Sequence, residues 1–163
     1  MRNNPFRGCA AQAASALCLL LCMVLMCGAA YPQTNRTISI RMLDSQTGKI
    51  IASSEFQVWI DHAVGTNRQW VQPSKEGVGE ITLPPNASVI AVHAQYGQAK
   101  FFYANCDSVK DGGAHTDHWY FISEIVSSGV AAPNYCSKLT VVAKPGEFIF
   151  FVRPQHWWEE MRD

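Results

Sequence analysis

The chain reads as an all-β protein, a two-sheet antiparallel β-sandwich carrying one short helix, and three observations predict it. After residue 30 the apolar side chains recur at every second position far more often than at every third or fourth, which marks strands with one buried face. Asp, Ser, Gly and Pro break that pattern at short intervals, as turns between strands do. One late stretch, "HWYFISEIVSSG", changes to helical spacing.

Taken in order, "TISIRML" places Ile38, Ile40 and Met42 on one side of a strand and Ser39 and Arg41 on the other. "EFQVWID" does the same with Phe56, Val58 and Ile60, and the "DSQTGK" turn, Asp44 to Lys49, is expected to join these two as neighbours. "RQWV" and "GEITLPP" follow as short strands, the second with Ile81 and Leu83 inward and stopped by Pro84-Pro85. "ASVIAVHAQYG" and "QAKFFYANC", split by a Gly97-Gln98 turn, are apolar on both faces and read as central strands. In the helical stretch Ile122, Ile125 and Val126 share a face, and Gly129 stands where a helix ends. "SKLTVVA" and "EFIFFVR" then form a last hairpin around Lys144-Pro145-Gly146. The five apolar residues from Phe148 to Val152 require cover on both faces, and "QHWWEEMRD" makes a short helical tail.

Residues 1–30 read as a signal segment: Arg2 and Arg7 precede an unbroken apolar run from Ala16 to Met26, and Gly28 and Ala30 supply small residues for cleavage after Ala30. Residues 31–163 are then one domain, periplasmic or extracellular, with membrane contact expected only through the leader if it stays uncleaved. Of six cysteines, Cys9, Cys18, Cys22 and Cys27 lie in the leader, so Cys106 and Cys136 are expected to form a disulfide outside the cytosol. Thirteen basic residues balance 13 acidic ones, and loss of Arg2 and Arg7 leaves about −2 with no run of either sign. Such a surface lacks the clustered Lys and Arg that nucleic acid requires.

"ISIRMLDSQTGKIIASSEFQVWI", a strand, a "TGK" turn and a second alternating strand, resembles the opening of carboxypeptidase regulatory-like and transthyretin-like domains. "GVAAPNYC…KPGEFIFFVRP…WWEEM" is similar to a tail in exported bacterial proteins of that type. The resemblance implies a β-sandwich and does not name an activity. Members that hydrolyse a urate breakdown product end in Tyr-Arg-Gly-Ser, whereas this chain ends in "EEMRD". In the carboxypeptidases the zinc belongs to a separate domain that has no counterpart here.

The nearest approach to a metal set is His115, Asp117 and His118 beside Asp107 and Asp111. Its spacing matches neither H-E-x-x-H nor a calcium loop, and "DGG" reads first as a loop, so no metal or other cofactor is assigned. No G-x-S-x-G elbow or cysteine-protease signature accompanies the Ser, His and Cys residues. Trp59, Trp70 and Trp158 are instead the candidate ligand-binding residues, because exposed indoles on the wet face of an antiparallel sheet can stack on sugar rings. The expected function is a noncatalytic binding or assembly module whose partner is a protein or a polysaccharide.

Overall fold

A computed structural model describes residues 36–62, 68–94, 103–107 and 118–155, all within one compact unit, Thr34–Asp163. The expected leader at 1–30, the expected Gly97-Gln98 turn, the segment holding His115 and Asp117, and the expected helical tail with Trp157 and Trp158 lie outside the described residues.

Two sheets face each other. The first has the order β4(Val78–Leu83), β1(Arg36–Asp44), β9(Glu147–Pro154), β6(Tyr103–Asn105), with β8(Val130–Ala131) also pairing with β9. The second runs β3(Arg68–Val71), β2(Phe56–Ile60), β5(Val89–Ala94), β7(Tyr120–Phe121). The alternation read from the sequence is the alternation that builds the core. Ile38, Ile40, Met42 and Leu83 meet Phe56, Val58, Ile60 and Ile90 between the sheets, each nearly or fully buried. Gly79 sits opposite Ile40, where an added Cβ would lie 2.5 Å from Val71 and 2.7 Å from the Phe56 ring. The missing side chain is thus the space that Phe56 fills.

The single described helix, α1(Ile122–Ser128), buries Ile122 and Ile125 and closes at Gly129, whose φ of 76° is reached there without a Cβ penalty. Its Ile125 carbonyl accepts both from the Gly129 N–H at 3.0 Å and from the Gly146 N–H at 2.8 Å. The Lys144–Gly146 turn is therefore tied to the helix end.

Four sequence expectations are corrected. The Asp44–Lys49 turn forms, its Asp44 Oδ1 accepting from the Thr47 N–H at 2.8 Å and the Thr47 hydroxyl at 2.7 Å. It does not make neighbours of β1 and β2, because pairing stops at the single bridge Leu43–Ile50 before the chain crosses to the second sheet. "SKLTVVA" forms no strand. Its period of two arises because Leu139, Val141 and Ala143 lie as an extended cover on the first sheet, facing it in alternation without joining its hydrogen bonds. The closing strand β9 consequently has no hairpin partner and pairs in parallel with β1 and β8 and antiparallel with β6. The strand β6, expected to be central, lies at the sheet edge, and its Asn105 side chain bridges the two sheets. The amide donates to the Val92 carbonyl at 2.5 Å while its oxygen accepts from the Ala94 N–H at 2.8 Å.

Three carboxylates hold corners of this frame and make it acid-sensitive. Asp44 is held below its ordinary pKa chiefly by the Thr47 hydroxyl. Burial alone would raise Asp61 and Glu147, but hydrogen bonds from Ser88 and Val89 to the first, and from Arg41 (2.6 Å) and the Lys144 N–H to the second, outweigh it and lower both. The unfolded chain thus binds more protons than the folded one in acid, so this stabilisation is present above the unfolded carboxylate range and is lost as pH falls through the lower folded values. Thermal unfolding midpoints should be flat from pH 7 to about pH 5 and fall below about pH 4. With Glu147→Gln the acid slope should be shallower.

Candidate functional site

The outward faces of the two sheets differ in kind. On the first, Ile149 and Phe151 of β9 point away from the main core into a second cluster with Leu43, Cys106 and Ala143. Leu139, Val141 and Cys136 pack over it, and the Cys106–Cys136 disulfide, with Cα atoms 5.4 Å apart, staples the cover down. Asn134 adds a polar clamp, donating to the carbonyl oxygens of Ser45 at 3.0 Å and Leu139 at 3.1 Å. The cover closes the part of that face over Ile149 and Phe151, while Thr37, Glu80 and Thr82 on its β1–β4 side stay exposed.

Among the described residues the second sheet keeps exposed aromatic rings at its corners, while the outward Gln57, Val89 and Ala91 between them are buried. Because Phe56, Val58 and Ile60 point inward, period two turns Gln57, Trp59 and Asp61 outward. The β2–β3 register sets Trp70 beside Gln57 and Arg68 beside Trp59, and the β2–β5 register sets His93 on the far side of Gln57. On the last strand Phe121 lies opposite Val89. Trp70 is 56% exposed and Phe121 58%, at opposite corners of the sheet. From strand spacing and rise these corners stand roughly 20 Å apart.

Trp59 is not the open ring that the sequence led us to expect. Its indole N–H donates to Gln57 Oε1 at 2.6 Å, the Arg68 guanidinium lies 4.3 Å from its ring centroid, and the His93 ring lies 4.5 Å away. Since β3 and β5 flank β2, these two groups reach Trp59 from opposite sides. Trp70 keeps the open character assigned to it, while Trp158 falls outside the described residues.

At the corner after β2, Asp61 and His62 both adopt φ of 54°, an uncommon left-handed pair for residues with a Cβ. Asp61 Oδ1 holds the turn by accepting from the Ser88 N–H at 2.7 Å, the Ser88 hydroxyl at 2.8 Å and the Val89 N–H at 3.1 Å. His62 packs on Trp119 with ring centroids 4.0 Å apart.

His118 is exposed and stacks on Tyr120 at 4.9 Å, while His115 and Asp117 lie outside the described residues. Among the described residues no group of three or more His, Cys, Asp or Glu is placed to hold a metal ion. Tyr120 donates its hydroxyl to Asp107 Oδ2 at 2.7 Å, and burial, followed by the Asp107 charge, pushes the phenol well above its ordinary pKa. Asp107 is in this way committed to holding the last strand of the second sheet beside the disulfide.

Sequence reasoning missed Arg68, His93, Trp119 and Phe121. The signal for Arg68 was present, since in "RQW" the first and third residues share a face. Phe121 was hidden because the stretch "HWYFISEIVSSG" reads as helical, whereas Tyr120 and Phe121 form a strand ahead of the helix. Comparison of the chain with protein-family models, with curated proteins and with solved structures gives no match.

Proposed function

We propose that this chain is an exported, noncatalytic binding module and that it presents the outer face of its second sheet to a polysaccharide. The observation that carries the reading is the asymmetry of the sandwich. One outer face buries its apolar residues under a disulfide-held cover and is otherwise polar, and the other carries Trp70 and Phe121 as exposed rings at its corners beside the Arg68–Trp59–His93 stack. A sugar presents apolar C–H faces and a polar rim, so rings mixed with planar polar side chains suit it better than they suit a purely apolar partner.

Export to a periplasmic or extracellular space is part of the proposal. It is supported by the leader-like first 30 residues and by the disulfide, which is compatible with an oxidising environment. Among the described residues no helix is long and apolar enough to cross a membrane. The absence of catalysis is supported by the engagement of Asp44, Asp61, Asp107 and Glu147 in structural hydrogen bonds. Kinship with transthyretin-like and carboxypeptidase regulatory-like domains belongs to the same proposal, resting on the strand–turn–strand opening and the single late helix.

Retention on a panel of insoluble polysaccharides tests this function. The protein should be held by at least one of them without shortening its chains, and Trp70→Ala should weaken retention roughly tenfold while leaving the melting temperature nearly unchanged. Failure to bind any polysaccharide, or full retention by Trp70→Ala, would remove the reading.

A further inference from the structure

We infer that the open face takes an acidic polysaccharide, a polymer of carboxylate-bearing sugars, engaged through Arg68 and Trp70 on the edge strand β3. The inference rests on the reading of this face as a polysaccharide surface and adds the ligand class.

The sheet order places β3 at the edge, next to β2 alone. Arg68 and Trp70 share its outward face about 7 Å apart, within reach of a single sugar and its substituent. Trp70 offers an open ring. Arg68 offers a charge that is already positioned, because its guanidinium lies 4.3 Å from the centroid of the Trp59 ring directly across the strand pair. A guanidinium held over a ring keeps its N–H fork directed sideways, the geometry that receives a carboxylate through two parallel hydrogen bonds. Trp59 is therefore a positioning residue for Arg68.

Charge complementarity selects the ligand. Arg41 is paired with Glu147 at 2.6 Å, and Arg36 donates to the carbonyl oxygens of Pro85 and Ala87 at 3.2 and 2.8 Å. Among the described residues Arg68 has no carboxylate partner. The carboxylates in phase with this face stand, among the described residues, at its two ends. Asp61 is committed to Ser88 and Val89, and Glu55 precedes β2, about 14 Å along the strand from Trp59. A neutral sugar would leave an exposed, stacked cation without a use. A nucleic acid would require a cluster of cations, and among the described residues this face carries Arg68 alone. A carboxylate on a sugar ring uses both groups at once: the ring lies on Trp70 and the acid meets Arg68.

Binding to polygalacturonate and to an uncharged plant polysaccharide, measured side by side in low and high salt, tests the inference. Polygalacturonate should bind more tightly, and the preference should shrink in high salt. Arg68→Gln should weaken polygalacturonate binding roughly tenfold to a hundredfold and leave neutral binding as it was. Arg68→Lys, which keeps the charge without the planar fork, should fall between. Trp59→Phe should keep the preference, and Trp59→Leu should lose it with the melting temperature as control. If Trp70→Ala abolishes binding but Arg68→Gln changes nothing, the surface stands and the acidic ligand class is wrong. If neither substitution alters binding, or neither polymer binds, both the surface and the ligand class fall.

Discussion

Phe150→Ala should lower the free energy of unfolding by about 3–5 kcal/mol, read from urea denaturation with an unchanged slope. Phe150 lies at the centre of β9, paired with Met42 of β1, and only 1% of it is exposed. Its ring meets Phe56 of the opposite sheet edge-on at 5.4 Å and lies parallel to Phe148 at 6.4 Å, so truncation opens a cavity between two sheets that rigid hydrogen bonding prevents from closing. A typical domain has about 5–15 kcal/mol in total, so the variant should be marginal at 37 °C. Phe151→Ala, one residue on, is the informative control. Phe151 points into the outer cluster beneath the 139–143 cover, a loop segment able to settle into the space, so its loss should be smaller, about 2–3 kcal/mol. A Phe150→Ala loss below that of Phe151→Ala would contradict the assignment of the two faces.

Replacing both Cys106 and Cys136 by alanine should remove about 3–4 kcal/mol, because the bond closes a loop with a sequence separation of 30 residues in the unfolded chain. The structure adds a second expectation that loop entropy alone does not contain. Cys136 anchors the cover whose Leu139 and Val141 shield Ile149 and Phe151. Without the bond the cover should open before the sandwich does, with its backbone amides exchanging faster and the protein binding an apolar dye while the second sheet stays protected. Polar contacts then hold the loop, among them the Asn134 clamp, the Gln46 side-chain hydrogen bond to the Cys136 carbonyl at 3.3 Å, the Ser137 hydroxyl donating to the Ser45 carbonyl and the Tyr135 N–H donating to the Cys106 carbonyl at 3.1 Å. Equal loss of protection in both sheets would show instead that the bond acts on the whole fold.

Inward residues were legible in the sequence wherever one face of a strand is buried, as at Ile38, Ile40, Met42, Phe56, Val58 and Ile60, because burial and the period of two express the same constraint. Partners were not legible. Asp44 to Lys49 carries every local signal of a hairpin and forms its turn, yet β1 takes β4 and β9 as neighbours because β9, apolar on both faces, has to lie inside a sheet. "SKLTVVA" shows that alternation reports facing and not hydrogen bonding, since an extended cover alternates as a strand does. The site divides along the same line. Trp59 was read on the face that carries Gln57 and Asp61, where it lies, but which of the two tryptophan rings stays open depends on Arg68 and His93, whose positions follow from strand register.

The central claim is that the open face of the second sheet is the binding surface, and amide and indole chemical shifts of the isotope-labelled protein titrated with soluble fragments of a retained polysaccharide test it most directly. The account predicts that signals from Gln57, Trp59, Arg68, Trp70 and Phe121 move together, while those of Leu139, Val141 and the Cys136 loop stay fixed. Movement concentrated on the disulfide-stapled cover, with the Trp70 indole signal unchanged, would contradict it.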